Sequence, residues 1–181
     1  GFFVSGDYVN GEEKGNVTLS FYSNQRKIIL DGKEVKDRKE LIYRFPCIVF
    51  SHEDISYIKG EPEERRKFFD QMLSLHSPSY FDALRSYRAI LAQRNAAIRS
   101  GDDSLISLYN SRLAMYGMEI MEKRAGAAYD FNKIFPHLFS QISGTDFNLS
   151  VTYQPSWKEG GSVDEIESIL LSTLERDKKM N

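Results

Sequence analysis

Alternation of period two dominates the first fifty residues, and a period near 3.6 takes over after Gly60. Val17, Leu19 and Phe21 alternate with Thr18, Ser20 and Tyr22, and the stretches 2–9, 17–22 and 26–30 are rich in β-branched and aromatic side chains, so they read as strands. Asn10-Gly11 and Asp31-Gly32 are hairpin signals, since both central residues of a type I′ turn need positive φ. The pattern predicts an antiparallel meander. Residues 34–44 read as a short helix or loop, and Pro46 followed by CIVF reads as a buried strand.

The helical part announces its own boundaries. Pro62 suits a first turn, and Glu61, Glu63 and Glu64 complement the positive end of that helix's dipole. Ser77-Pro78 repeats the start signal for a helix running to about Arg99, with Gly101 as its stop and Asp102 or Asp103 as the next cap. Leu105, Tyr109, Leu113, Tyr116 and Ile120 then form one apolar stripe. So short a turn between two long helices predicts an antiparallel hairpin. A further helical stretch over 125–142 is expected to break near Pro136, residues 147–153 alternate like a short strand, and 163–178 read as a last helix. The expected fold class is α+β, an antiparallel sheet over residues 1–60 and a mainly helical part over 61–181.

Composition adds limits. The chain has 181 residues, 41% hydrophobic and 28% charged, with a formal net charge of −2. That balance offers no global attraction to a polyanion, so phosphate binding needs a local basic patch. The single cysteine, Cys47, rules out an internal disulfide, and its apolar neighbours predict a buried thiol of a reducing, cytoplasmic compartment. No apolar run approaches the ~20 residues of a membrane span, so no membrane partner is expected. Gly1 leads at once into FFVSGDYV, and LERDKKMN stops while still helical in pattern, so the expectation is a piece of a larger protein.

Several chemistries are not supported. Gly160-Gly161 lacks the lysine of a phosphate-binding loop and its preceding strand. His52, His76 and His137 lie too far apart for metal-ligand spacing, and the carboxylates are scattered. No catalytic residue and no metal site is assigned.

The arginines divide by helical phase. At roughly 100° per residue, Arg65 falls beside Phe69 and Met72, while Arg66 points away and meets Asp70 at i,i+4. Arg65 needs a partner for its guanidinium, with Glu53 and Asp54 as candidates, and serves either as a clamp at the junction or as a ligand contact. Arg66 either forms that surface pair or faces an anionic ligand. Arg85, Arg88 and Arg99 cluster within roughly 60° of arc. They form the best local surface for a phosphate backbone, the competing reading being a solvated charged face. Arg94 projects near the apolar stripe and reads as an interhelical or interdomain tie. Trp157, in YQPSW, reads as a packing residue.

FFVSGDY, IVFSHEDISYIKGEPEERRKFFD, SPSYFDALRSYRAILAQRNAAIR and LERDKKM resemble, in order and spacing, the central part of the RecF family of bacterial DNA repair and recombination mediators. The resemblance implies kinship with SMC-type ATPases and a portion of an ABC-type ATPase head followed by a helical arm. It also implies that the longer protein uses ATP and Mg and dimerises with ATP. That protein would bind double-stranded and gapped DNA and cooperate with RecR and RecO in loading recombinase. On this resemblance the phosphate loop, signature and Walker B motifs lie outside the chain, so the chain itself would hold no cofactor and be no enzyme. Ser51, His52, Glu53 and Asp54 occupy the position of a nucleotide-sensing loop, Arg66, Arg85, Arg88 and Arg99 become candidates for DNA contact, and Arg65 and Arg94 for an interdomain clamp. The alternative, drawn from the modest charge and from Met115, Met118 and Met121, is a helical protein-interaction or dimerisation module that touches no DNA.

Overall fold

A computed structural model describes residues 1–49, 51–157 and 161–180. The chain divides into two compact units, Gly1–Ser51 and His52–Asn181. Residues 52–60, which the periodicity groups with the sheet, fall in the second unit, where they form a 3₁₀ turn over His52–Ile55 and α2 (Ser56–Lys59) that packs on α3 (Pro62–His76).

The first unit is an antiparallel meander of β1 (Phe2–Asn10), β2 (Glu13–Tyr22), β3 (Gln25–Leu30) and β4 (Lys33–Glu34), in the order β1-β2-β3-β4, followed by α1 (Lys39–Arg44). Its registers show how each turn works. Leu30 pairs with Lys33, leaving Asp31 and Gly32 at φ 50° and 78°, as a type I′ turn requires. Tyr22 pairs with Gln25 round Ser23 and Asn24, both also at positive φ. In the first hairpin Asn10 pairs with Glu13, so the central residues are Gly11 and Glu12, one place on from the expected Asn10-Gly11, with positive φ only at Gly11. Tyr8 lies opposite Gly15, and a Cβ on Gly15 would strike the Tyr8 hydroxyl and the Asp31 carboxylate. Only glycine lets that tyrosine cross its neighbour strand.

The CIVF segment does not become a buried strand. Ile48 and Val49 lie in no strand and are exposed, Cys47 is exposed too, and Phe50 lies outside the described residues. β4 is only two residues long, and no strand among the described residues pairs with 46–49.

In the second unit α3 leads to the hairpin of α4 (Pro78–Ser100) and α5 (Asp103–Ser143), with α6 (Val163–Ser172) and α7 (Leu174–Met180) completing the bundle. Ser77 caps α4, its hydroxyl accepting from the Tyr80 amide, and Gly101 ends it at φ 70°. The register of the hairpin is antiparallel. Ile98 packs with Ile106, Ile90 with Leu113 and Ala114, and Tyr80, Ala83 and Leu84 with Ile120. Ile166 and Leu170 of α6 join the middle cluster, placed by a capping box at Ser162 and Glu165, which satisfies two otherwise orphaned amides.

Three expectations fail in this unit, the first being the single last helix over 163–178, which divides at Thr173 into α6 and α7. α5 runs unbroken through Pro136. Phe131, Phe135 and Phe139, one turn apart, make tilted ring contacts at 4.8 and 6.1 Å between centroids, a row of aromatic contacts that spans the missing amide bond. Residues 147–153 form no strand. The segment has no neighbour strand among the described residues, and Asn132 of α5 takes its place: its side-chain amide donates to the Val151 carbonyl at 2.7 Å while its oxygen accepts from the Val151 amide at 2.8 Å. Trp157 then seats in a notch on α5. A Cβ on Gly117 would come within 2.3 Å of the indole, so the glycine's intrinsic cost in a helix, about 1 kcal/mol, is offset by a ring that no other residue there admits.

Candidate nucleic-acid interface and the charged hubs behind it

α4 presents different chemistry on its two sides. Toward the bundle it buries Tyr80, Ala83, Leu84, Ile90, Arg94, Ala97 and Ile98. Outward it exposes Arg85, Arg88 and Arg99 with Ala89, Ala92 and Ala96 between them. Beyond Asp82 the helix carries no acidic residue. The outcome is a narrow cationic strip whose intervening side chains are too short to hold a polyanion off.

Arg88 is anchored from below. Its Nη2 lies 3.5 Å from the Asp70 carboxylate of α3, and Asp70 is the centre of a buried hub. Arg124 of α5 meets it in a bidentate pair, Nε to Oδ1 at 2.8 Å and Nη2 to Oδ2 at 2.9 Å, and the Tyr80 hydroxyl donates to Oδ1 at 2.6 Å. Tyr80 is wholly buried. Burial first, and the hydrogen bond to Asp70 second, push the Tyr80 phenol well above the ordinary tyrosine value, so it remains a donor. Burial works against the charge of Arg124, but the pull of Tyr80 and Asp70 outweighs it and holds the guanidinium more firmly protonated than usual. The hub fixes α3, α4 and α5 with every partner hydrogen-bonded, the condition under which a buried charge is tolerated.

This hub corrects the expected pairing of Arg66. Asp70 points into the bundle and is taken by Arg124, Tyr80 and Arg88, while Arg66, one turn earlier on α3, is exposed. The helical spacing offers the nearer arginine, but the bidentate and buried partner lies 54 positions along the chain.

The clamp residues also resolve. Arg65 donates from Nη1 to the Gly60 carbonyl at 2.8 Å and lies 3.5 Å from that of Ile58, so it holds the C-terminal end of α2, whose last carbonyls have no partner within their own helix. Arg94 is buried, and donates to Asn110 of α5, to the Leu170 carbonyl of α6 and to Asp177 of α7. The partners of both arginines lie in the second unit, so these ties join helices to one another.

Ser51 precedes the 3₁₀ turn. His52 and Glu53 on the turn are exposed, and Asp54 is half-buried. Among the described residues no group of three or more His, Cys, Asp or Glu side chains is placed to hold a metal ion, and no helix is long and apolar enough to cross a membrane. Sequence reasoning missed the Asp70 hub. The signal that could have found it was the tyrosine and arginines carried at helical spacing on α4 and α5, read together with an aspartate on the inward face of α3.

No family model matches the chain. It is 31% identical over 170 residues to the DNA replication and repair protein RecF of Treponema pallidum (strain Nichols), covering 94% of this chain and 48% of that protein. Against the protein of the same name from Porphyromonas gingivalis (strain ATCC BAA-308 / W83) it is 32% identical over 151 residues, covering 82% and 42%. The chain spans about half the length of the curated relatives it matches. Among solved structures, the recombination mediator protein RecF-ATPrS in the RecFOR pathway superposes with a TM-score of 0.83 at 25% identity, over 98% of this chain and 51% of that one.

Proposed function

Since the chain is a homologue of RecF along nearly its whole length, we propose that it is the helical arm and adjoining sheet of a RecF-like DNA repair and recombination mediator. Its contact with double-stranded and gapped DNA is the outer strip of α4. The observation that carries this is the strip itself: Arg85, Arg88 and Arg99 exposed along one side of a helix with alanines between them and no acid beyond Asp82. Arginine gives phosphates two-pronged hydrogen bonds, and phosphate neutralisation supplies most sequence-independent affinity. Arg66, exposed on α3, is a further phosphate contact on this reading. On this reading ATP and Mg act in the longer protein, with Ser51–Asp54 facing the nucleotide, and RecR and RecO join the mediator in loading recombinase. The chain by itself turns over no ATP.

The test is a DNA titration of the RecF-like parent at several salt concentrations. Arg85→Glu with Arg99→Glu is the informative pair, because Arg88 also touches Asp70 and its reversal would disturb the hub. The slope of log affinity against log salt is expected to shallow by about 0.9 for each phosphate that is no longer neutralised. An unchanged slope and affinity would place the DNA elsewhere.

A second reading rests on α5, where Leu108 and Met115 stand exposed while Met118 packs on the core. That apolar pair suits a protein partner, RecR, RecO or a second copy brought together by ATP, with no DNA on the arm. Leu108→Glu with Met115→Glu, abolishing capture of the partner while leaving the DNA titration unchanged, favours it.

A further inference from the structure

α5 has an outer face as well as an inner one. Toward the bundle it buries Ile106, Leu113, Ala114 and Ile120. Away from them Leu105, Leu108, Arg112 and Met115 are exposed, and they recur at the a and d spacing of a heptad, the pattern with which one helix seats on another. The same spacing continues through Glu119, Glu122, Gly126 and Tyr129, of which Glu119 is half-buried and the others exposed. The seam therefore passes from an apolar, cationic half to an acidic half. Arg112, Glu119 and Glu122 make no ion pair or hydrogen bond among the described residues.

Exposed leucines and solvated charges are ordinary. Gly126 is not. It lies inside a helix of 41 residues, where glycine is the least favoured residue short of proline, and a Cβ placed on it would meet nothing within 4 Å. Gly117 has its reason within the chain, since a Cβ there would strike the Trp157 ring. Gly126 has no such reason, and its place on the seam supplies one: a notch there admits a side chain from outside.

We propose that two copies of the chain pair along this seam, their α5 helices antiparallel about a two-fold axis at the level of Gly117. Reversing one helix sets each a position against a d position. Leu105 then meets Tyr129 of the second copy, Leu108 enters the notch at its Gly126, Arg112 pairs with its Glu122, and Met115 lies over the stem of its Glu119. A two-fold interface repeats each contact in the opposite sense. Charge chooses both this occupant and this direction. A parallel pairing would set Arg112 on Arg112 and Glu122 on Glu122, which opposes association, whereas the antiparallel register brings each Arg112 to a glutamate. The inference rests on the second reading above, on which Leu108 and Met115 meet a protein, and deepens it by naming that protein as a second copy that needs no nucleotide.

Sedimentation equilibrium in the absence of nucleotide tests it. The native protein is expected to dimerise. Arg112→Glu and Glu122→Arg are each expected to weaken the dimer at least ~10-fold by setting like charges together, and the doubly reversed chain to regain it. Gly126→Leu has room within its own chain and raises helix propensity, so it is expected to keep or raise the midpoint of unfolding and yet weaken the dimer. In a Cys47→Ser background, mixing Arg112→Cys chains with Glu122→Cys chains is expected to give the mixed disulfide in excess over either like pair. A native protein that stays monomeric, a dimer unmoved by Gly126→Leu, no regain in the double reversal, or like-pair disulfides in excess overturns the proposal. If the native protein is monomeric while Leu108→Glu with Met115→Glu still abolishes capture of another protein, this inference falls and the reading beneath it stands. If that variant disturbs neither dimer nor capture, both fall.

Discussion

Each unit is built round an aspartate shared by a tyrosine and an arginine, and the two trios differ chiefly in access to water. In the sheet, Tyr8 donates to Asp31 at 2.7 Å, Arg44 lies 3.0 Å from the same carboxylate, and the Asn16 amide donates to its other oxygen at 2.9 Å. In the helical unit, Tyr80 donates to Asp70 at 2.6 Å and Arg124 grips it with two bonds. The distances hardly separate the two. The Arg44 side chain, however, is 41% exposed and that of Asp31 34%, whereas Asp70 is 7% and Arg124 17%. In water such a trio is a local staple, screened by salt and of small worth. Out of water the same groups become interdependent, because any one left alone is a stranded charge or an unpaired donor.

The sharpest way to break the comparison is to remove the arginine from each. Arg124→Ala removes the bidentate partner of the buried Asp70, leaving it the Tyr80 hydroxyl and the longer contact with Arg88, and is expected to cost about 3–5 kcal/mol, read as a lower urea midpoint for loss of the helical circular-dichroism signal. A change below about 1 kcal/mol, the range of exposed pairs, would mean that the buried trio behaves like the exposed one.

Next in size is the effect of pH on Tyr80. The folded protein retains the phenolic proton above the ordinary value of 10.0, while the unfolded chain releases it there. Above that pH the folded state therefore binds more protons, and stability falls as pH rises. Tyr80→Phe has no such proton, so its unfolding free energy is expected to fall less steeply than the native protein's between about pH 9 and about pH 11. Equal slopes would show that Tyr80 titrates normally.

The smallest effect is expected at the sheet. The Tyr8 hydrogen bond first, then the Asn16 amide, with Arg44 adding to them, hold the Asp31 carboxyl below its usual range, but the group is open to solvent. Arg44→Ala is expected to shift the unfolding of the first unit slightly at low salt, and not at about 1 M salt, where screening acts within about 3 Å. A loss that persists in salt would show that Arg44 acts through its packing on the Tyr8 and Phe45 rings and not through charge.

The same contrast explains what could be read along the chain. The meander, the Ser77 cap, the Gly101 stop and the α4–α5 hairpin follow from local rules, since a positive φ or an N-cap is decided within four residues. The α+β class and the strip of Arg85, Arg88 and Arg99 follow from periodicity. What escapes reading depends on distant partners. Helical spacing assigns Asp70 to Arg66 because i,i+4 proximity is visible in sequence and a contact with Arg124 is not. Residues 147–153 alternate like a strand, yet an asparagine on α5 supplies the hydrogen bonds of the absent neighbour. Pro136 reads as a breaker, yet the helix runs through it, with a row of aromatic contacts spanning the missing bond. CIVF reads as a buried strand, but a strand needs a neighbour, and periodicity cannot supply one.

The notch at Gly117 has an optical consequence. Trp157 is the only tryptophan in the sequence, and its indole stands edge-on to Tyr87 at 6.5 Å between centroids, so the long-wavelength emission of this protein arises wholly from the helical unit. Melting of the sheet is silent in that channel and must be followed through tyrosine. Tryptophan emission therefore reports the unfolding of the helical unit alone, with no added label.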